Sequence, residues 1–139
     1  MRLAMIPPGA ILRAWPDLGG MIARACERPG CDHTETTLRA ACLAGAAALI
    51  AILDNDGRPV AAGVTQVREQ ANGARSCWIL ALGGHRSNAW LHTLEHVEAG
   101  ARHVGCETVE FVGRRAWERL LPSYFAEACA TGTHYSKRL

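Results

Sequence analysis

The sequence has no long hydrophobic run. Its longest apolar stretch, residues 40–53, is mostly alanine and stops at Asp54, well short of the roughly 20 residues a bilayer-spanning helix needs. A membrane span is excluded and no membrane partner is expected. Strong charge is also missing: a net charge of +2 and a pI near 8.3 are too mild for nucleic-acid binding, which leaves a basic patch on one face or helix. Arg114 with Arg115, and Lys137 with Arg138, are isolated pairs that read as solvated surface. The opening segment MRLAMIPPGA holds no sustained apolar region, because Pro7, Pro8, Arg13 and Asp17 interrupt it. It does not read as a secretory leader, and the expected location is the cytoplasm of the producing cell. The six cysteines then read as reduced thiols that fill small core positions, not as a disulfide framework. No internal repeat or low-complexity block is present.

What remains is a globular composition, 49% hydrophobic and 20% charged over 139 residues, which fits one domain spanning residues 1–139. Ile11, Leu12, Trp15, Leu18 and Ile22 recur at helical spacing but are interrupted by Pro16 and the Gly19, Gly20 pair, which predicts one or two short helices. RPGCDHT is turn chemistry, and Thr34 or Asp32 can cap an alanine-rich helix running to about Gly45. ALIAIL, DNDGRP and VAAGVTQV read as strand, turn and strand. CWILAL is apolar without interruption, as expected of a central strand buried on both faces. From Trp90 to Val104 a helix is predicted, with Trp90, Leu94, Val97, Ala101 and Val104 facing the sheet and His92, His96 and His103 facing away. Gly105 stops it. ETVEFVG is a further strand, RRAWERLL a short helix closed by Pro122, and the tail from Tyr124 supplies one last strand with Thr133, Tyr135 and Lys137 alternating. The fold class is α/β (α+β), a mixed central sheet flanked by helices in the order α-α-β-β-β-α-β-α-β.

Three stretches bear chemistry. HTLEH places two histidines four apart with a glutamate between them, the spacing of an inverzincin zinc helix; its other reading is a solvent-facing polar stripe. CERPGCDH offers Cys26, Cys31 and His33, with Cys42 as a fourth ligand for a structural zinc, although no second close cysteine pair exists. Neither is taken as a metal site. GGHRSNAW lies between a buried strand and a helix, where unsatisfied N–H groups suit a pyrophosphate and Arg86 adds a charged donor. Ser87 or Asn88 capping that helix accounts for the same residues.

The order of these elements is similar to that of the GNAT superfamily of acyl-CoA-dependent N-acyltransferases. DNDGRPVAAGVTQVRE, CWILALGG and HTLEHVEAGARHVGCETVEFVGRRAWERLLPSY resemble, more specifically, small GNAT-like proteins encoded by tailed phages and prophages. Gly113, Arg114 and Trp117 match the G-R-x-x-W motif of those proteins, and the resemblance spans roughly residues 45–139. It implies acetyl-CoA as co-substrate, held at Leu82, Gly83, Gly84, His85, Arg86, Ser87 and Asn88, with the thioester between the strand ending at Leu82 and the one ending at Val112. Backbone N–H groups of the first strand would polarise its carbonyl. Glu110 and His85 are the titratable groups nearby, and Glu110, Trp78 and Trp117 otherwise read as solvent-facing, core and core. The enzymes' Q/R-x-x-G-x-G/A loop and general-acid tyrosine are not matched. The resemblance therefore implies first a degenerate, non-catalytic virion-associated or assembly protein, partnered by other phage structural proteins or by itself and located in the virion as well. The alternative it implies is an acyl-CoA-dependent N-acetyltransferase of unknown amine substrate. An open basic cleft beside residues 83–88 would mark the enzyme, and a cleft filled by Trp90 and Arg86 the scaffold.

Overall fold

The computed structural model describes residues 1–85 and 90–139. Its strands are β1 (Arg2–Met5), β2 (Ala48–Leu53), β3 (Pro59–Glu69), β4 (Arg75–Gly84), β5 (Thr108–Gly113), β6 (Phe125–Cys129) and β7 (Gly132–Arg138). The helices are α1 (Ile11–Ala25), α2 (Glu35–Leu43), α3 (Leu94–His103) and α4 (Trp117–Leu120). All strands form a seven-stranded sheet ordered β1-β2-β3-β4-β5-β7-β6, so CWILAL is indeed the middle strand. Every described pairing is antiparallel except β4 with β5. Because side chains alternate along a strand, β2 sends Leu49 and Ala51 to the core under α1 and α2, and Ile50 to the core under α3. Both faces of the sheet are therefore covered. Ile22 and Leu38 are fully buried in the first core, each such side chain contributing about 1.5–3 kcal/mol.

Four expectations need correction. Of the one or two short helices expected near the N-terminus, the structure has one, α1, which runs through Pro16, Gly19 and Gly20 without interruption. Pro16 sits on its exposed side, and the buried Ile11, Trp15, Leu18, Met21 and Ile22 outweigh the one backbone bond a proline removes. Gly19 is not a breaker either. The Trp15 indole lies across it to donate from Nε1 to Glu35 Oε1 at 2.9 Å, and a Cβ on Gly19 would stand 2.5 Å from both atoms. A short edge strand, β1, pairs with β2 in a segment to which the sequence reading assigns no element. The tail forms two strands, not one, because β6 and β7 make a hairpin with β7 inserted against β5. Finally, α3 begins at Leu94 after a 3-10 turn over Leu91–Thr93, and Val104 is 44% exposed, so of the five residues expected to face the sheet Trp90, Leu94, Val97 and Ala101 do so and Val104 does not.

The remaining local expectations hold for stated reasons. Thr34 caps α2 by accepting from the Thr37 N–H at 3.1 Å, and the Thr37 hydroxyl accepts from the Thr34 N–H at 3.0 Å, a reciprocal cap. Gly105 ends α3 with φ of +83°, a conformation open to glycine. Among the described residues no helix is long and apolar enough to cross a membrane.

Candidate functional site

The parallel pairing of β4 with β5 covers only Ser76, Cys77 and Trp78 against Thr108, Val109 and Glu110. Beyond it the strands splay. A β-bulge in β4 begins the divergence: Val64 faces Ala81 and Thr65 faces Ile79, leaving Leu80 as the extra residue, and such bulges bend a strand and increase its twist. The result is a cleft of about 460 Å³. Its walls are the ends of β4 and β5, the start of α3 and α4, and the C-terminal end of α1. Leu80, Leu91, Phe111, Val112 and Trp117 give it apolar walls, and Arg24, Arg28 and Arg114 give it positive charge. No carboxylate or imidazole lines it among the described residues.

Backbone donors point the same way. Successive N–H groups of a strand face opposite sides, and the His85 N–H donates to Val60 O on β3 at 3.1 Å. The Leu82 and Gly84 N–H groups therefore face the cleft. With the arginines they form a donor set for an anionic, partly apolar ligand with hydrogen-bond acceptors along its length.

Of the residues proposed from sequence, Leu82, Gly83 and Gly84 line this cleft. His85 is exposed and is not among the lining residues. Arg86, Ser87 and Asn88 lie outside the described residues. The glycines have a structural cause beyond ligand approach. A Cβ on Gly83 would stand 2.7 Å from Met21 O on α1, and one on Gly84 would stand 2.3 Å from Val60 O and 2.6 Å from Ala61 Cβ on β3. They let the end of β4 lie against both neighbours. Gly113 does the same for Trp117, whose Cδ1 a Cβ would meet at 3.2 Å. Trp117 is a half-buried cleft wall, which amends its core assignment, and Trp90 packs with Ile52 and Ala61 outside the cleft lining.

Glu110 is not solvent-facing, contrary to expectation. Its side chain is 15% exposed. It accepts from Thr108 Oγ1 at 3.0 Å through Oε2 and lies 2.9 Å from His134 Nε2 through Oε1. The His134 ring stacks on Trp78 with centroids 5.5 Å apart, and the Arg68 guanidinium covers the same indole at 4.7 Å. Trp78 is thus a half-buried platform and not a core residue. Sequence alternation could have placed Thr108, Glu110 and Val112 on one face of β5, but not their partner on β7.

A second polar group was also missed. Glu98 on α3 is 5% exposed, accepting from Tyr124 OH at 2.8 Å and from Lys137 Nζ at 2.8 Å. Burial first, and then the bond to Glu98, push the Tyr124 phenol well above its usual range. This tyrosine is structural and does not line the cleft. The zinc patterns do not assemble: among the described residues no three His, Cys, Asp or Glu side chains come together. His92 and His96 are exposed, while Cys42 is buried in the core. Burial and the neighbouring Cys31 push the Cys26 thiol up to about 11.

By sequence the chain matches no protein-family model and no curated protein. By structure it is similar to many solved proteins. The GNAT domain of S. lividans PAT shares 14% identity over 99% of this chain and 89% of that one, at a TM-score of 0.67. Drosophila melanogaster polyamine N-acetyltransferase, an enzyme that forms N-acetylagmatine, shares 14% identity over 99% of both chains, also at 0.67. Escherichia coli YhbS, a GNAT N-acetyltransferase solved with CoA, shares 10% identity over 98% of this chain and 79% of that one, at 0.71. The fold is therefore the GNAT fold.

Proposed function

We propose that this chain, as one domain, is an acyl-CoA-dependent N-acyltransferase, with an acetyl-CoA thioester in the cleft between β4 and β5. The observation that carries the reading is the open, arginine-lined split in the centre of the sheet, into which the Leu82 and Gly84 N–H groups point. Apolar walls suit the thin arm of CoA. Arg24, Arg28 and Arg114 suit its phosphates, and residues 82–88 form the segment proposed to hold the pyrophosphate. Backbone N–H groups of β4 are placed to receive charge as it develops on a thioester oxygen. The scaffold reading called for a cleft filled by Trp90 and Arg86; Trp90 packs with Ile52 and Ala61 instead, and Arg86 lies outside the described residues. A GNAT-fold neighbour solved with CoA supports the choice of ligand class. A cytoplasmic location and an amine acceptor follow from the same reading.

Calorimetric titration with acetyl-CoA and CoA tests it. Micromolar binding is expected. Arg24→Ala together with Arg114→Ala should weaken it about tenfold or more, since hydrogen bonds to charged groups contribute about 1.5–3 kcal/mol. These are better probes than a bulky side chain at Gly84, which would collide with Val60 and Ala61 whatever the ligand. Absence of heat at millimolar ligand would overturn the proposal.

A further inference from the structure

Resting on the acyltransfer reading above, we propose that His134 is the base that deprotonates the acceptor amine, with Glu110 as its positioning residue. The described cleft lining offers donors for an anion and no side chain that accepts a proton. An alkylamine at neutral pH is an ammonium ion, which has no lone pair for attack, so a proton acceptor must stand beside the cleft.

Topology supplies one. Glu110 occupies the last register pair between β4 and β5, opposite Trp78, at the point where the strands part. His134 is the cross-strand partner of Val112, a cleft-lining residue. Side chains of directly paired residues leave the same face of a sheet. The imidazole therefore stands next to the cleft wall on the α1 and α2 side. There Arg28, another cleft residue, donates from Nη1 to Thr131 O at 2.8 Å. Glu127 faces His134 from β6, and Arg68 stands beyond Trp78.

The ring is oriented before any substrate arrives. A carboxylate only accepts hydrogen bonds, so the 2.9 Å contact with Glu110 places the proton on Nε2 and the lone pair on Nδ1. Thr108 fixes the other carboxylate oxygen at 3.0 Å. Trp78 holds the ring plane, 12° from its own. Among the described residues Nδ1 has no hydrogen-bond partner, and the side chain is 28% exposed, so an acceptor can reach it. Orienting group, base and an open position beside a charged cleft form the constellation expected of proton-transfer machinery.

The step balances. His134 Nδ1 takes one proton from the ammonium group. The freed amine nitrogen bonds to the acyl carbon, the carbon–sulfur bond breaks, and the CoA thiolate leaves with the second nitrogen proton as a thiol. His134 then returns its proton to water. The products are amide, CoA thiol and one released proton.

Two measurements on the full chain test this. The first is long-range proton–nitrogen NMR of the histidine rings. It should show His134 with Nε2 protonated and Nδ1 bare when neutral, and a shift of that pattern in Glu110→Gln. The second follows CoA thiol release from acetyl-CoA with a fixed panel of acceptors: water, agmatine, spermidine, lysine methyl ester and aniline. His134→Gln should bind acetyl-CoA as wild type does by calorimetry and lose about 100-fold or more of turnover. Imidazole added to His134→Gly should restore part of it. Glu110→Gln should lose less, with KM for acetyl-CoA unchanged. A proton on Nδ1, or turnover by His134→Gln close to wild type, overturns the assignment. So does the failure of a chain that binds acetyl-CoA to acylate anything in the panel. Those three outcomes leave the cleft reading standing, whereas failure to bind acetyl-CoA removes it.

Discussion

Alanine at Gly84 is the smallest perturbation that tests how the end of β4 is seated. The added methyl would lie 2.3 Å from Val60 O and 2.6 and 2.7 Å from the Cβ and Cα of Ala61, against optimal separations of about 3.5–4.0 Å for non-bonded heavy atoms. None of these is the end of a flexible side chain. They belong to the body of β3, which β2 holds on its other side, so relief requires strand movement. Overpacking typically costs about 1–3 kcal/mol, and a clash with backbone belongs at the top of that range. At about 4 °C per kcal/mol for a domain of this size, the melting temperature should fall by about 10 °C. Acetyl-CoA binding should weaken with it, because the Gly84 N–H is one of the cleft donors. The control is Gly100→Ala in α3, where a Cβ meets nothing within 4 Å. Removing a helix-interior glycine should there add about 0.5–1 kcal/mol. Thermal melts by circular dichroism decide the matter: a Gly84→Ala protein that melts at or above the wild-type temperature would refute the close approach of β4 to β3.

The buried Glu98 gives an ordered pair of outcomes in urea denaturation. Tyr124→Phe removes one of two hydrogen bonds and should cost about 1–2 kcal/mol. Lys137→Met leaves a buried carboxylate without its cation and should cost more, about 3 kcal/mol; the reverse order would show that Lys137 does not neutralise Glu98. Burial, with Cys106 adjacent, pushes the Cys77 thiol from the usual value near 9 up to about 11. Its contribution to stability is therefore complete below about pH 9 and is lost as pH rises toward about 11. The urea midpoint of Cys77→Ala should fall less steeply across that window, and parallel curves would count against the assignment. Cys26, raised to about 11, should react with iodoacetamide at pH 8 far more slowly than the exposed Cys129, as mass spectrometry of the peptides would show.

The elements with long periodic patterns were legible. Thr34 capping α2, the hairpin at DNDGRP and the central CWILAL each follow from local chemistry that the sheet does not override. What was lost followed from context. Pro16 and Gly19 look like breakers until Trp15 is seen reaching over Gly19 to Glu35. β1 and β6 are edge strands of four and five residues, too short and too exposed for alternation to stand out. Glu110 and His134 are separated by 24 residues, and only the insertion of β7 beside β5 brings them together. No local pattern encodes that register. The cleft itself was anticipated from resemblance, since the splaying of β4 from β5 depends on a bulge that the sequence does not announce.

The order β5-β7-β6 has a bearing on how the molecule is made. The last strand of the sheet to be synthesised is not its edge, so the hairpin must form and dock with its later strand innermost. Until it does, β5 is an open edge and Glu110 has no imidazole beside it. A chain folded through α4 would already possess Arg24, the two glycines and both walls of the split, and so the means to hold an acyl donor. It would lack the group proposed to ready an acceptor. Under the proposed function, donor capture and proton removal would thus be separated along the folding route, and a half-assembled molecule would hold a thioester with no base beside it.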